Sequence, residues 1–288
     1  MPAAAHDDPY LDDAPTDGPA APPAPRSARA EFVEAAVAYL LGHRGKSDGA
    51  WGRDGTVART TSARGGAGKR EPARPSASAL GIRLVAELTG RSHAAPLFHF
   101  PDRLCLVAAV AAEGFRRQTQ RVRDAEGEGV HTEQATETLQ RCALAYVQWA
   151  SGAPALFATM YDPELAPVLE VFMMFGDDEA RIREALPAHF GGDRKQAHRR
   201  FQAYLELYDA KHHAMDTFVI IARRGLGDGS LRQDLSAHDV AHVVTSVADG
   251  LAWQHVTEQQ SLGAALDAHT RRVIRLCFEG VQGGRPAR

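Results

Sequence analysis

The chain has no stretch of the roughly 18 to 20 uninterrupted apolar residues that a membrane-spanning helix needs, so no spanning segment is expected in its 288 residues. Its first 25 residues contain no Lys or Arg and no apolar core, where a secretory signal carries both. Cysteine is scarce: Cys105, Cys142 and Cys277 lie far apart, each inside an apolar helical pattern. That spacing offers neither a disulfide framework nor a zinc site and reads as small buried hydrophobes of a reducing cytosol. Alternating β-branched runs are also missing, which leaves no strand to defend. No nucleophile–base arrangement or dinucleotide fingerprint occurs. Gly66-Ala67-Gly68-Lys69-Arg70 lacks both the preceding strand and the Ser or Thr after Lys that a phosphate-binding loop requires. The expectation is a cytoplasmic chain that is not an enzyme and carries no cofactor.

What is present is helix-forming composition and an uneven charge. Apolar residues make up 44%, normal for a globular chain and too many for a wholly disordered one. The formal charge of −3 hides three blocks: −5 over residues 1–25, +7 over 26–117 and −5 over 118–288. A basic block on such a chain suits a polyanion, most often nucleic acid, or else is solvated surface charge.

Residues 1–25, rich in Ala, Pro and Asp, read as a disordered tail. A helix is predicted from about Ala28 to Leu41, with Phe32, Val33, Ala36, Val37, Leu40 and Leu41 on one stripe. The Gly-, Arg- and Ser-rich segment 44–75 is an irregular insertion or linker. Helices follow from Ser78 to Thr89, from His93 to His99 behind a Ser92 cap, and from Pro101-Asp102 to about Arg123. Every later segment has helical periodicity, including a long helix from about Asp193 to Arg224 and two final ones near 236–253 and 259–279. The fold class is all-α: residues 26–117 as a three-helix unit and 118–288 as a second helical domain.

A ten-residue helix, a turn containing Gly90 and a very short capped helix form a helix-turn-helix pattern. In such a unit the second helix enters a major groove about 12 Å wide. The run Ser92-His93-Ala94-Ala95-Pro96 through His99-Phe100-Pro101-Asp102-Arg103, with Leu106-Val107-Ala108-Ala109-Val110-Ala111 after it, resembles the tetracycline-repressor (TetR) family of transcriptional regulators. Ile82-Arg83 through Val85-Ala86 and Gly90 resemble that family's second helix and turn. A weaker likeness lies at 229–235 and 249–252.

The resemblance implies a dimeric, ligand-responsive regulator, more often a repressor, acting on a palindromic operator in double-stranded DNA. It makes His93, Ala94, Ala95 and His99 contacts in or near the groove, Ser92 the cap that offers free N–H groups to phosphate, and Arg83 and Arg103 phosphate anchors. Three positions depart from the family pattern: Leu97 replaces a usual Tyr, Arg91 a usual aliphatic residue, and Phe98 a usual polar contact. These favour the alternative of a related helical interaction protein whose helix-turn-helix no longer reads sequence.

In the second domain Phe157, Met160, Phe172, Met173, Tyr204, Tyr208 and His212 are candidate walls of an effector pocket for an unidentified small molecule, against the commoner reading of such residues as plain core packing. Val240, Val243, Val247, Leu251, Leu266 and Val273 are candidates for a homodimer interface. Asp209, His212, His213 and Asp216, and the pair His238 and His242, have spacing that invites a metal, yet no acidic general base stands beside the second pair, no cysteine matches, and no metal is expected.

Overall fold

The structure is a computed structural model that describes residues 27–42, 77–128, 134–190 and 193–281, with the side chains of 77 and 258–266 excepted. The acidic tail and the basic insertion at 44–75 lie outside the described residues. All regular structure among the described residues is helical.

Helix α1 (Ala28–Leu40) starts where the Ser27 hydroxyl accepts the Ala30 N–H at 3.2 Å, and it buries Phe32, Val33, Ala36, Val37 and Leu40. A single 3-10 turn (Ala77–Ala79) leads into α2 (Ile82–Leu88), which buries Val85 and Ala86. The end of α2 is a Schellman closure. Gly90 takes φ +65°, the Arg91 N–H donates to Ala86 O at 3.0 Å, and the Gly90 N–H donates to Glu87 O at 3.2 Å.

The expected helix from His93 to His99 shrinks to a 3-10 turn, Pro96–Phe98, with Ala95 rather than Ser92 at its cap position. The reason is Pro96, which has no N–H to continue an α-helical ladder but is tolerated in a first turn. Asp102 then caps α3 (Arg103–Gly127), its carboxylate accepting the Cys105 N–H at 2.9 Å.

From there α3 runs unbroken past residue 117. The remaining helices are α4 (Ala135–Gly152), α5 (Pro154–Met160), α6 (Ala166–Phe175), α7 (Glu179–Ala185), α8 (Arg194–Gly227) and α9 (Ala237–Val281). Asp162-Pro163 forms a turn, and α6 begins at Ala166.

Helices α3 and α8 lie side by side in the same direction. Asp102 pairs with Arg200 at 2.7 Å, Arg116 with Glu206 at 3.9 Å, and Arg123 meets His213 at 2.6 Å. Helix α9 is helical throughout its 45 residues yet doubles back. His255 Nε2 sits 2.7 Å from Thr270 Oγ1, and the Arg232 N–H donates to Val281 O at 3.0 Å. A straight helix would separate two residues fifteen apart by about 22 Å, so the chain reverses between His255 and Thr270 into two antiparallel arms.

Among the described residues two apolar cores result. One joins α1, α2 and the first half of α3 to α6 and the first half of α8; the other joins α4, the end of α8 and both arms of α9. The second core closes tightly at Gly225, where an added Cβ would lie 2.6 Å from Leu231 Cδ1 and 3.2 Å from Ala135 Cβ.

Candidate functional site

The exposed edge of the amino-terminal unit is residues 91–98. Arg83, Ser92, His93 and Ala94 face solvent, while Ala95 packs partly against the core. Leu97 is 46% exposed and Phe98 69%, so two large apolar side chains stand in solvent. Arg91 turns back across the Schellman closure, pairing with Glu31 at 2.5 Å and lying 5.8 Å over the Phe32 ring. That geometry lets a charged residue occupy a usually aliphatic position without burying its charge.

Two candidate contacts turn inward. The His99 ring packs 5.8 Å from Phe32 and 6.5 Å from Phe100. Partial burial, then the nearby Arg29, Arg199 and Arg91 charges, hold its pKa below the usual value. Arg103 donates from Nε to Leu80 O at 3.0 Å and pairs with Glu164 at 3.1 Å and Asp162 at 3.8 Å. It ties the start of α2 to the turn between α5 and α6.

Of the residues expected to wall a pocket, the buried ones divide between the two cores of the described residues. Phe157 belongs to the second core, whereas Met160, Phe172 and Tyr204 are buried in the first. Phe172 packs against Phe201 and Tyr208 at 5.6 and 5.8 Å, which is core packing. Met173 is 70% exposed, and His212 is exposed and stacked on Tyr208. Of the seven, Met160 and Met173 line a shared cavity.

What lies between α3, α4, α8 and α9 is a polar cluster that sequence reasoning missed. A cavity of about 60 Å³ is walled by Phe115, Tyr146, Met215 and Phe218 and receives Gln118, Tyr161, Lys211 and Asp249. Beside it a second cavity of about 200 Å³, walled by Met160, Leu169 and Met173 among others, shares Tyr161 and Lys211 with the first. Asp249 Oδ1 accepts from Tyr146 and, at 2.9 Å, from Tyr161; the two phenol oxygens are 2.9 Å apart.

Burial raises the Asp249 pKa, against the two tyrosine donors and the Lys211 charge, which lower it. Both tyrosines are pushed well up, first by burial and then by charge and hydrogen bonding around them. Burial lowers Lys211, partly offset by Asp249. The Lys211 ammonium lies 5.9 Å over the Tyr161 ring, and among the described residues no carboxylate lies within 4.0 Å of it. Gln118 is 4% exposed, and among the described residues its Oε1 is buried without a hydrogen-bond partner.

Tyr161 anchors the cluster through aromatic contacts at 5.8 Å to Phe115, 5.0 Å to Phe157 and 6.1 Å to Trp253. A signal for the cluster was present in the sequence. Gln118 interrupts the inward row Ala111, Phe115, Val122, and Lys211 interrupts Leu207, Ala214, Phe218. A polar residue on a buried stripe is costly and asks for a reason.

On the final helix, Val240 and Leu251 point into the chain's own core, Val247 and Val273 are half-buried, and Val243 is exposed. The Leu266 side chain lies outside the described residues. Leu276, which was not singled out, is exposed. Among the described residues no three His, Cys, Asp or Glu converge as metal ligands, and no helix is long and apolar enough to cross a membrane.

No family model matches the chain, and no curated protein matches its sequence. Solved structures do match. A protein of unknown function from Rhodococcus sp. RHA1 is 22% identical, with 90% of this chain and 98% of that one covered at a TM-score of 0.53. The fatty acid degradation regulator FadR from Bacillus halodurans aligns at 11% identity over 87% and 98% at a TM-score of 0.49. The ketosteroid transcriptional regulator KstR2 of Mycobacterium tuberculosis aligns at 13% over 90% and 97% at 0.44.

Proposed function

We propose that the chain is a homodimeric, ligand-responsive transcriptional regulator, a repressor, that binds a palindromic operator. One observation carries the reading. A single continuous helix, α3, is capped beside the helix-turn-helix at Asp102 and places Phe115 and Gln118 in the polar cavity. At 1.5 Å per residue the two ends of that lever are about 24 Å apart. An effector that prefers one tilt of α3 over another changes the position of the 91–98 edge, and only that difference in affinity drives the response.

In the DNA-bound state Arg83, Ser92, His93 and Ala94 meet phosphate and base edges. Val243 and Leu276 supply exposed apolar surface to the second copy. Twofold symmetry then sets two recognition edges about 34–36 Å apart. The test is a gel shift with the protein's own upstream DNA at several salt concentrations, followed by footprinting. A palindromic footprint with half-sites one helical turn apart supports the reading; sequence-blind binding overturns it.

A second reading is an interaction protein on the same scaffold that does not read DNA sequence. The exposed Leu97 and Phe98 favour it, because apolar side chains at a groove-facing edge gain little against phosphate and polar base edges.

A further inference from the structure

We infer that the cavity between α3, α4, α8 and α9 binds a neutral molecule that carries a hydroxyl group on an apolar body about the size of one aromatic ring. The inference rests on the reading that the carboxyl-terminal half holds an effector site, and it names the chemistry of that site.

Two polar groups in the cluster are incompletely partnered. Gln118 Oε1 is a buried acceptor without a donor, and Lys211 is a partly buried ammonium without a carboxylate within 4.0 Å among the described residues. Left dry, each destabilises the fold. A hydroxyl has one O–H to donate and two lone pairs to accept, so one ligand oxygen can donate to Gln118 Oε1 while accepting from Lys211 Nζ. Asp249, already held by Tyr146 and Tyr161, repels an anionic ligand. Lys211 repels a cationic one. A bare hydrocarbon leaves both groups dry.

The walls set the body of the ligand. Phe115, Tyr161, Met215 and Phe218 surround the smaller chamber, and Met160, Ala166, Leu169 and Met173 line the larger, with Asp162 and Glu170 also on its lining. An engineered apolar cavity on the order of 150 Å³ accepts a benzene ring, and the larger chamber is about 200 Å³. Lys211 and Tyr161 form the wall common to both. A swing of the flexible four-carbon Lys211 stem joins them, so a ring sits in the larger space and its hydroxyl enters the smaller.

The experiment is a calorimetric titration of the full-length protein with phenol, toluene, benzoate and benzylamine. Phenol is expected to bind saturably, toluene roughly 10-fold or more weaker because it leaves buried groups unpaired, and the two charged probes weaker still. Gln118→Leu is expected to keep or raise the Tm of the unliganded protein while erasing the preference for phenol over toluene. Lys211→Met is expected to weaken phenol more than toluene. Equal binding of phenol and toluene overturns the inference, as does a preference that survives in both variants. If Gln118→Leu does not fold, the probe ranking on the unsubstituted protein and on Lys211→Met decides. A gel shift without probe reports on DNA separately. Specific DNA binding with no phenol preference sinks this inference alone; a phenol preference without specific DNA binding sinks only the regulator reading.

Discussion

Arg103 distinguishes a DNA contact from an internal brace, and Arg103→Met tests which it is. The substitution keeps an apolar stem but removes the guanidinium that donates to Leu80 O at 3.0 Å and pairs with Glu164 and Asp162. Leu80 is 1% exposed, so water is poorly placed to replace the donor. A hydrogen bond from a charged group contributes about 1.5–3 kcal/mol. The Glu164 pair is solvent-exposed and adds only about 0.2–1 kcal/mol. The expected loss is therefore near 2 kcal/mol, a fall in Tm of about 4–8 °C for a domain of this size. Arg103→Lys should recover little, since a single ammonium does not reproduce the fork that reaches several acceptors. A double-mutant cycle with Glu164→Gln should show coupling within about 1 kcal/mol. Calorimetry provides the stability and a salt titration of DNA binding provides the charge count. A Tm within 2 °C of the parent, joined to a salt slope smaller by about 0.9, would mean that Arg103 holds phosphate and that the brace is wrong.

Three further outcomes are expected. The raised Asp249 pKa means the folded state binds the extra proton, so stability is fully present below about pH 4 and declines as pH rises through the folded value. Asp249→Asn, which keeps an acceptor for both tyrosines, should flatten that decline in urea unfolding measured across pH; an unchanged profile refutes the assignment. Gly225→Ala forces a Cβ to within 2.6 Å of Leu231 Cδ1, and overpacking of this kind costs about 1–3 kcal/mol, readable as a lower urea midpoint. Deleting residues 46–74, which carry a net +4, should weaken DNA binding and reduce its salt dependence; equal affinity and slope would leave that segment no part in binding.

Much of the helical order was legible in the residues themselves. Ser27, Asp102 and Asp193 each cap a helix where side chains of that kind are expected to, because capping needs only a short polar side chain and its own next turn. The Gly90 turn was legible for the same local reason. Less legible was the second element of the helix-turn-helix. Its periodicity suited a helix from His93, but Pro96 removes the N–H that would have joined the ladder, and the result is a single 3-10 turn. The direction of His99 and Arg103 was not legible at all, since it depends on Phe32 and Glu164, far away in the chain.

The candidate pocket shows the same division. Aromatic and methionine residues were readable as apolar, yet composition does not say which apolar residues surround a void and which fill it. Phe172 and Tyr204 pack solidly, and the cavities open instead beside Tyr161 and Lys211.

By itself the sequence determined that this chain is helical, where most helices start and stop, and that positive charge concentrates around its helix-turn-helix. All three follow from contacts a few residues long or from counting. Only the tertiary structure decided that Gln118, Tyr146, Tyr161, Lys211 and Asp249 meet in one place. They come from α3, α4, the turn after α5, α8 and α9, and nothing in their local spacing relates one to another. Packing of distant helices brings them together, and among the described residues it leaves Gln118 Oε1 buried without a hydrogen-bond partner.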